Sequence, residues 1–294
     1  MKEAIPYNFG GLSKQFTSYE NSKIVILPVP FDKTSTWLKG SDRGPAAIIE
    51  ASQHMELYDI ETNSEVYKQG IFTETEILTS NSALMIKKVH KKVNNLLNDE
   101  KFVVTLGGEH SVSIPVIMAY SNFFNEIGVL HLDAHTDMRD SFRGDKYSHA
   151  CAMARVKEIT EDVISVGVRS MDSSELKNID KNRIFYADEI RHSDNWIKKV
   201  NSKLSKNVYV DIDLDVFDSG IMSSTGTPEP GGLDWYQVIK LLKVVSESKN
   251  IIGFDVVELC PFKNKAPDFL AAKLIYKLLS YKFFNEKSIP QEVI

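Results

Sequence analysis

The chain has 294 residues, 43% of them hydrophobic and 26% charged, close to the average for soluble globular proteins. Its 35 basic and 40 acidic residues leave a net charge of −5 without a long basic run, which argues against a general nucleic-acid footprint. No apolar stretch reaches the roughly 18 residues of a membrane span, and the start, MKEAIPYNFG, has no apolar signal core. Two cysteines, Cys151 and Cys260, cannot build a disulfide framework and fit a reducing compartment, so a soluble, cytoplasmic protein is expected.

In chain order, a first strand is predicted at 24–27. A helix opens at Gly44–Pro45, with proline in the favoured first turn, and runs AAIIEAS. A strand at 67–72 precedes a helix from Asn81 to Asn98, where Leu84, Val89, Val93 and Leu96 recur at roughly helical spacing behind a Ser80/Asn81 cap. Strands follow at 102–106, 129–132, 163–168, 183–186 and 208–212. Asp234 can cap WYQVIKLLKVVSES, a last strand covers 251–257, and FLAAKLIYKLLSYKFF reads as an apolar C-terminal helix whose Phe283-Phe284 end either packs on the sheet or offers a contact surface. Several of these strands are continuously apolar, as buried parallel strands are. Unbroken alternation of β and α, with no repeats or linkers, predicts one domain over 1–294 with a mostly parallel sheet covered on both faces. In such folds ligands bind at the carboxyl ends of the strands.

Those ends carry a pattern. After 102–106 comes Gly107-Gly108-Glu109-His110-Ser111, and after 129–132 comes Asp133-Ala134-His135-Thr136-Asp137. After 208–212 comes Asp213-Leu214-Asp215-Val216-Phe217-Asp218, and after 251–257 comes Glu258. Brought to one rim, these carboxylates would repel one another and resist desolvation, and bound divalent cations neutralise them economically. Asp133, His135 and Asp137 alternate, so an extended chain would aim all three to one side; Asp213 and Asp215 share the spacing. A single HxD or DxD is ordinarily loop solvation or capping, but here such groups fall independently at several strand ends. His110, Asp133, His135, Asp137, Asp213 and Asp215 supply four carboxylates, enough to balance two divalent ions. Mixed imidazole and carboxylate donors suit manganese, iron or zinc, and the oxygen-rich balance leans towards manganese. Two such ions about 3.5–4 Å apart activate a water between them at neutral pH. Asp218 reads as a turn residue and Glu109 as a loop carboxylate.

At these residues the sequence resembles the ureohydrolase family of arginases, agmatinases and formiminoglutamases. GGEHS (107–111), DAHTD (133–137), DIDLDVFD (211–218), TGTPEPGG (225–232) and GFDVVELCP (253–261) carry the resemblance, with RGPAAIIEAS (43–52) and YSHA (147–150) beside them. The resemblance implies a three-layer α/β/α sandwich around an eight-stranded parallel sheet, two Mn²⁺ ions per subunit, hydrolysis of a guanidino group to urea, and a homo-oligomer, trimer or hexamer. It places the metal ligands on the six residues above, an acid/base histidine on His149 and a guanidinium-binding carboxylate on Glu258. Taken by itself, His149 is equally a loop histidine. Glu258 could accept bidentate hydrogen bonds from the planar cation, and the TGTPEPGG turn, with Thr225, Gly226 and Thr227, could shape the site wall.

The DAHTDMRD and YSHA versions look more like microbial agmatinases and aminopropylagmatine hydrolases than arginases, and most like microbial agmatinases, so a small cationic guanidino substrate, agmatine, is expected. Aminopropylagmatine, arginine or another guanidino acid, and formiminoglutamate are the alternatives. A metal-binding regulator without turnover is the alternative of another class; its mark would be a missing ligand, His149 or Glu258, and none is missing. Glu109, Asp140, Asp145 and Glu229 stand in rim loops where a distal ammonium could be attracted. Arg139 is the awkward residue, open to a salt bridge such as one with Asp140, to an indirect role in the pocket, or to clamping a substrate carboxylate. Asp211 stands where relatives often have serine, which adds a carboxylate near the metals, and Ser219 where many have proline.

Overall fold

A computed structural model describes residues 5–284; the first four residues of the MKEAIPYNFG start lie outside them. The chain runs β1 (Ile24–Val29), α1 (Gly44–Ser52), β2 (Ile71–Thr73), α2 (Ser82–Asn98), β3 (Phe102–Gly107) and α3 (Ser113–Tyr120). It continues with β4 (Gly128–Leu132), α4 (Ala152–Lys157), β5 (Val163–Val168), β6 (Ile184–Tyr186), α5 (Ala187–Arg191) and α6 (Trp196–Lys203). Then come β7 (Asn207–Asp213), α7 (Trp235–Ser248), β8 (Asn250–Val257) and α8 (Ala266–Phe283). The strands form one eight-stranded sheet in the order β2-β1-β3-β8-β7-β4-β5-β6, every pair parallel.

Successive side chains of a strand point to opposite faces, and here both faces are apolar, so helices cover both. Ile24 and Ile26 of β1, with Leu130 and Leu132 of β4, pack in one core with α1, α6, α7 and α8. Val25, Leu27 and Val129 point the other way, against Met85, Val89 and Val93 of α2 and against α3 and α4. This is the three-layer α/β/α sandwich that the alternation and the resemblance imply. Among the described residues no helix is long and apolar enough to cross a membrane.

Local differences from the expectations have local causes. The strand expected at 67–72 is shortened to Ile71–Thr73, because Gly70 turns the chain at φ +77° behind a 3₁₀ turn. A Cβ at Gly70 would lie 2.7 Å from the Ser22 Cα, so glycine is required there. The strand expected at 183–186 starts one residue later, after a 3₁₀ turn capped by Asp180. In α2 the Asn81 side chain accepts the Leu84 N–H as expected of a cap, but Leu84 is 42% exposed and Met85 fills its place in the core. Asp234 and Gln237 close a capping box at the start of α7. Phe283 and Phe284 pack on the core beside the sheet, Phe283 meeting Phe102 edge-on at 5.5 Å.

Candidate metal centre

β3, β8, β7 and β4 are neighbours at the middle of the sheet, and their carboxyl ends deliver the site. His110 opens a 3₁₀ turn three residues past β3, Asp133 follows β4 directly, Asp213 ends β7, and Glu258 follows β8. The DAHTD segment does not reach its convergence by alternation. It bends at Ala134–His135, and Asp137 takes a left-handed φ of +49°. The bend is held because the Ala134 N–H donates to Asp215 (2.9 Å) and the His135 N–H to Asp133 (2.5 Å). Asp213 and Asp215 are likewise separated by a 3₁₀ turn, in which the Asp215 N–H donates to Asp213 at 2.8 Å.

The six residues come together nonetheless. His110 Nδ1 lies 2.9 Å from Asp137 Oδ2, 3.2 Å from Asp133 Oδ2 and 3.5 Å from Asp213 Oδ2. His135 Nδ1 lies 3.0 Å from Asp215 Oδ2 and 3.4 Å from Asp133 Oδ1. Among the described residues two donor groups draw on these six, His110/Asp133/Asp137 and Asp133/His135/Asp215, with Asp133 common to both; Asp213 belongs to neither, and a third group, His110/His131/Asp211, lies beside them. The donor set fits metal ions on one specific observation: His110 Nδ1 is buried among these oxygens and makes no hydrogen bond. His110 Nε2 contacts Asp211 Oδ2 at 3.0 Å, so a neutral ring would keep its hydrogen on Nε2 and turn the Nδ1 lone pair to a metal ion among the aspartates.

Beneath the donors runs a polar row that the strand-end reading did not assemble. Sheet register sets Thr105, Asp255, Asp211, His131 and Ser165 side by side on β3, β8, β7, β4 and β5, all buried. His131 contacts Asp133 Oδ2 through Nε2 (2.8 Å) and Ser165 through Nδ1 (3.0 Å), and Tyr209 donates to Asp255 (2.8 Å). Asp211 thus orients His110. Burial, followed by the charge of Asp211, drives the Asp255 carboxyl well above the usual range. Charged residues inside apolar strand runs were the available sequence signal.

The centre opens into a cavity of about 270 Å³ whose lining includes Trp37, His135, Arg139, Phe142, His149, Asp172, Glu175, Gly226, Thr227 and Glu258. Glu258, at φ +64°, accepts the His110 N–H through Oε1 at 2.8 Å. Arg139 lies over the Phe142 ring at 4.6 Å, with Nη2 3.6 Å from Asp172 and Nε 3.5 Å from Glu175. Asp140, its expected partner, binds Lys177 instead, at 2.7 Å. The expected rim acids are also corrected. Glu109 is fully buried under hydrogen bonds from Thr34, Ser35 and Ser111, and Asp145 accepts from Ser82 and from the Tyr147 N–H. Glu229 reaches only the outer edge of His135, at 3.7 Å. Beyond the aspartate cluster and Glu258, the acids that line the cavity are Asp172 and Glu175, which follow β5. Asp218 is a turn residue, accepting the N–H groups of Gly220, Gly231 and Gly232.

The crowding shows in the protonation equilibria of the metal-free chain. Burial, then the charges of Asp215 and Asp133, push Asp213 well above the usual carboxylate range. Burial, then Glu109, raises Glu258 to about 8. Burial opposes charge on His110 and His135, but Asp211 on one and Asp215 on the other override it and raise both pKa values. Burial, then the positive charge of His110 and His135, lowers His149 to about 4. The raised groups bind more protons folded than unfolded. The histidine contribution is complete below pH 6.5 and fades above it, while ionising Glu258 erodes stability between its ordinary 4.5 and about 8. His149 acts only below 6.5, where its lowered pKa costs stability as the pH falls. Stability of the metal-free chain is therefore expected to fall from pH 6.5 to pH 8, by up to about 1.4 kcal/mol per pH unit for each proton lost. Divalent ions compete for the same donors, so the rise in Tm on adding manganese should be larger at pH 8 than at pH 6.5. Calorimetry showing equal rises at both would mean that the cluster does not hold those protons.

A parallel α/β/α sheet thus carries, at its carboxyl edge, a buried histidine–aspartate cluster that could hold metal ions and opens into an acidic cavity. The model of the arginase family matches residues 22–280. The N(1)-aminopropylagmatine ureohydrolase of Synechocystis sp. is 37% identical, over 92% of this chain and 92% of the relative, and the agmatinase of Bacillus cereus is 33% identical over 90% and 94%. The solved agmatine ureohydrolase of Thermoplasma volcanium superposes with a TM-score of 0.83 at 30% identity, over 90% and 92% of the two chains. The chain belongs to the arginase family, whose ureohydrolases are metal-dependent hydrolases of carbon–nitrogen bonds in guanidino compounds.

Proposed function

We propose that this protein hydrolyses agmatine to putrescine and urea, feeding polyamine synthesis, with His110, Asp133, His135, Asp137, Asp213 and Asp215 holding two manganese ions. The observation that carries this reading is the charge of the cavity. Its floor is the aspartate cluster with Glu258, and Arg139, the one lysine or arginine among the described lining residues, is engaged by Asp172 and Glu175. Such a cavity suits a guanidinium and leaves no unpaired cation to receive a substrate carboxylate.

In the reaction R–NH–C(NH₂)₂⁺ + H₂O → R–NH₃⁺ + CO(NH₂)₂, a carbon–oxygen bond forms, a carbon–nitrogen bond breaks, and the leaving nitrogen ends as an ammonium. Bound divalent ions would supply a water made nucleophilic at neutral pH. Glu258 keeps Oε2 and a lone pair of Oε1 for the guanidinium N–H groups, and so holds the carbon in place. His149 lines the same cavity and moves the proton to the leaving nitrogen. The homo-oligomer belongs to the same proposal, with the Phe283-Phe284 end of α8 packed on the core.

Aminopropylagmatine is the second reading. It carries the same guanidinium on a longer cationic tail, and two features favour it: the name of the Synechocystis relative, and Trp37, which lines the cavity and is 73% exposed. The test is kcat/KM for agmatine, aminopropylagmatine, arginine and guanidinobutyrate side by side with manganese, in wild type and Arg139→Ala. The two polyamines are expected to exceed both acids by at least about 10²-fold, the discrimination open to a site that leaves a charged group unpaired, and to keep that lead in the variant. A preference for arginine that Arg139→Ala abolishes would make Arg139 a carboxylate clamp and overturn the proposal.

A further inference from the structure

We infer that Thr34 and Glu109 form a relay that holds His149 in its Nδ1–H tautomer, leaving the Nε2 lone pair for the cavity. The inference rests on the proposed role of His149 and adds the residues that position it. Thr34 lies in the loop between β1 and α1, and its hydroxyl sits between two groups. Oγ1 is 2.6 Å from Glu109 Oε1 and 3.2 Å from His149 Nδ1, and it also accepts the His149 backbone N–H at 2.9 Å.

A hydroxyl has one hydrogen to give. Glu109 takes it: the buried carboxylate accepts from Thr34 Oγ1, from Ser111 Oγ (2.7 Å) and from the N–H groups of Thr34 (2.5 Å) and Ser35 (3.2 Å). Thr34 Oγ1 therefore faces His149 with lone pairs only, and Nδ1 must carry the hydrogen. Ser148 Oγ, also 3.2 Å from Nδ1, could donate only if Nδ1 were bare, which would set two lone pairs against each other at Thr34. Among the described residues both hydrogen-bonding contacts of the imidazole nitrogens are at Nδ1 and none is at Nε2. The Phe142 ring meets the imidazole edge-on at 5.9 Å and limits its rotation. Burial, followed by the charges of His110, His135, Lys39 and Arg139, opposes a charge on His149, which keeps the ring neutral with a lone pair on one nitrogen. Glu109, expected as a loop carboxylate, is the fixed end of this relay, and Thr34 gave no sequence signal.

The test compares wild type, Thr34→Val, which keeps the shape and removes the hydroxyl, and Thr34→Ser, which restores it. Side-chain ¹⁵N NMR of the metal-free full-length chain reports the tautomer, with the His149 signals identified by their loss in His149→Gln. Wild type is expected to show Nδ1–H, and Thr34→Val to shift His149 towards Nε2–H. In the manganese-loaded protein Thr34→Val should lose about 10- to 100-fold in kcat, part of the 10²–10⁴ that acid–base catalysis supplies, with KM changed less than about threefold. Thr34→Ser should recover both the tautomer and kcat. An Nε2–H wild type, a Thr34→Val variant with unchanged tautomer and kcat, or a Thr34→Ser variant as impaired as Thr34→Val would each overturn the relay. The spectrum needs no turnover, so a failure of the proposed reaction, seen as absent urea release, is distinguishable from a failure of the relay.

Discussion

Asp133→Ala is expected to strip both metal ions and to lower urea release on the order of 10³-fold, because Lewis-acid assistance worth several kcal/mol goes with them. Asp133 is the one residue common to both donor groups, one oxygen lying 3.2 Å from His110 Nδ1 and the other 3.4 Å from His135 Nδ1. It is also fully buried and oriented by His131. Asp137 belongs to one group only, and Asp137→Ala should leave one ion behind. Elemental analysis of the purified variants after manganese incubation decides the matter. Two ions retained by Asp133→Ala would show that the shared position is not where the metals are held.

Glu258→Gln should keep both ions and yet lose about 10²- to 10⁴-fold in kcat/KM. The amide oxygen can still accept the His110 N–H that Glu258 accepts at 2.8 Å, so the loop at φ +64° keeps its shape. What disappears is the charge facing the guanidinium, and one of two acceptors becomes a donor. Hydrogen bonds to charged groups contribute about 1.5–3 kcal/mol each, and two of them account for the expected loss at about 1.4 kcal/mol per tenfold. If the variant instead lost manganese with its activity, Glu258 would be a metal ligand and the guanidinium would need another anchor.

The strand ends were readable because the code there is local. An apolar run of strand length stops, and a histidine or acid begins, as at Leu106 to His110 and Leu132 to Asp133. Parallel strands then bring those ends to one edge whatever the loops do. Neighbouring residues were misread where the path of a loop decides the outcome. Glu109 looked like a rim carboxylate because the sequence does not show the β1–α1 loop folding over it, and Asp172 and Glu175 were passed over because nothing local turns the segment after β5 towards Arg139. The bend at Ala134–His135 depends on Asp215, 81 residues away, so the alternation of DAHTD suggested an extended chain. The polar row from Thr105 to Ser165 emerges only from the sheet register, although Asp211 was already conspicuous as a departure from serine.

The residues proposed to hold metal stand at the carboxyl ends of three central strands, β3, β7 and β4, whereas Trp37, Arg139, Phe142, Asp172 and Thr227 line the cavity from segments outside the sheet. On the proposed reading, the metal donors and the residues that would meet the substrate tail therefore come from different parts of the chain. A descendant could exchange the segment that carries Arg139 or the one that carries Asp172, and so accept a longer, shorter or oppositely charged tail, without disturbing a single hydrogen bond of the sheet that aligns the donors. The fold separates what must stay constant over evolutionary time from what is free to drift.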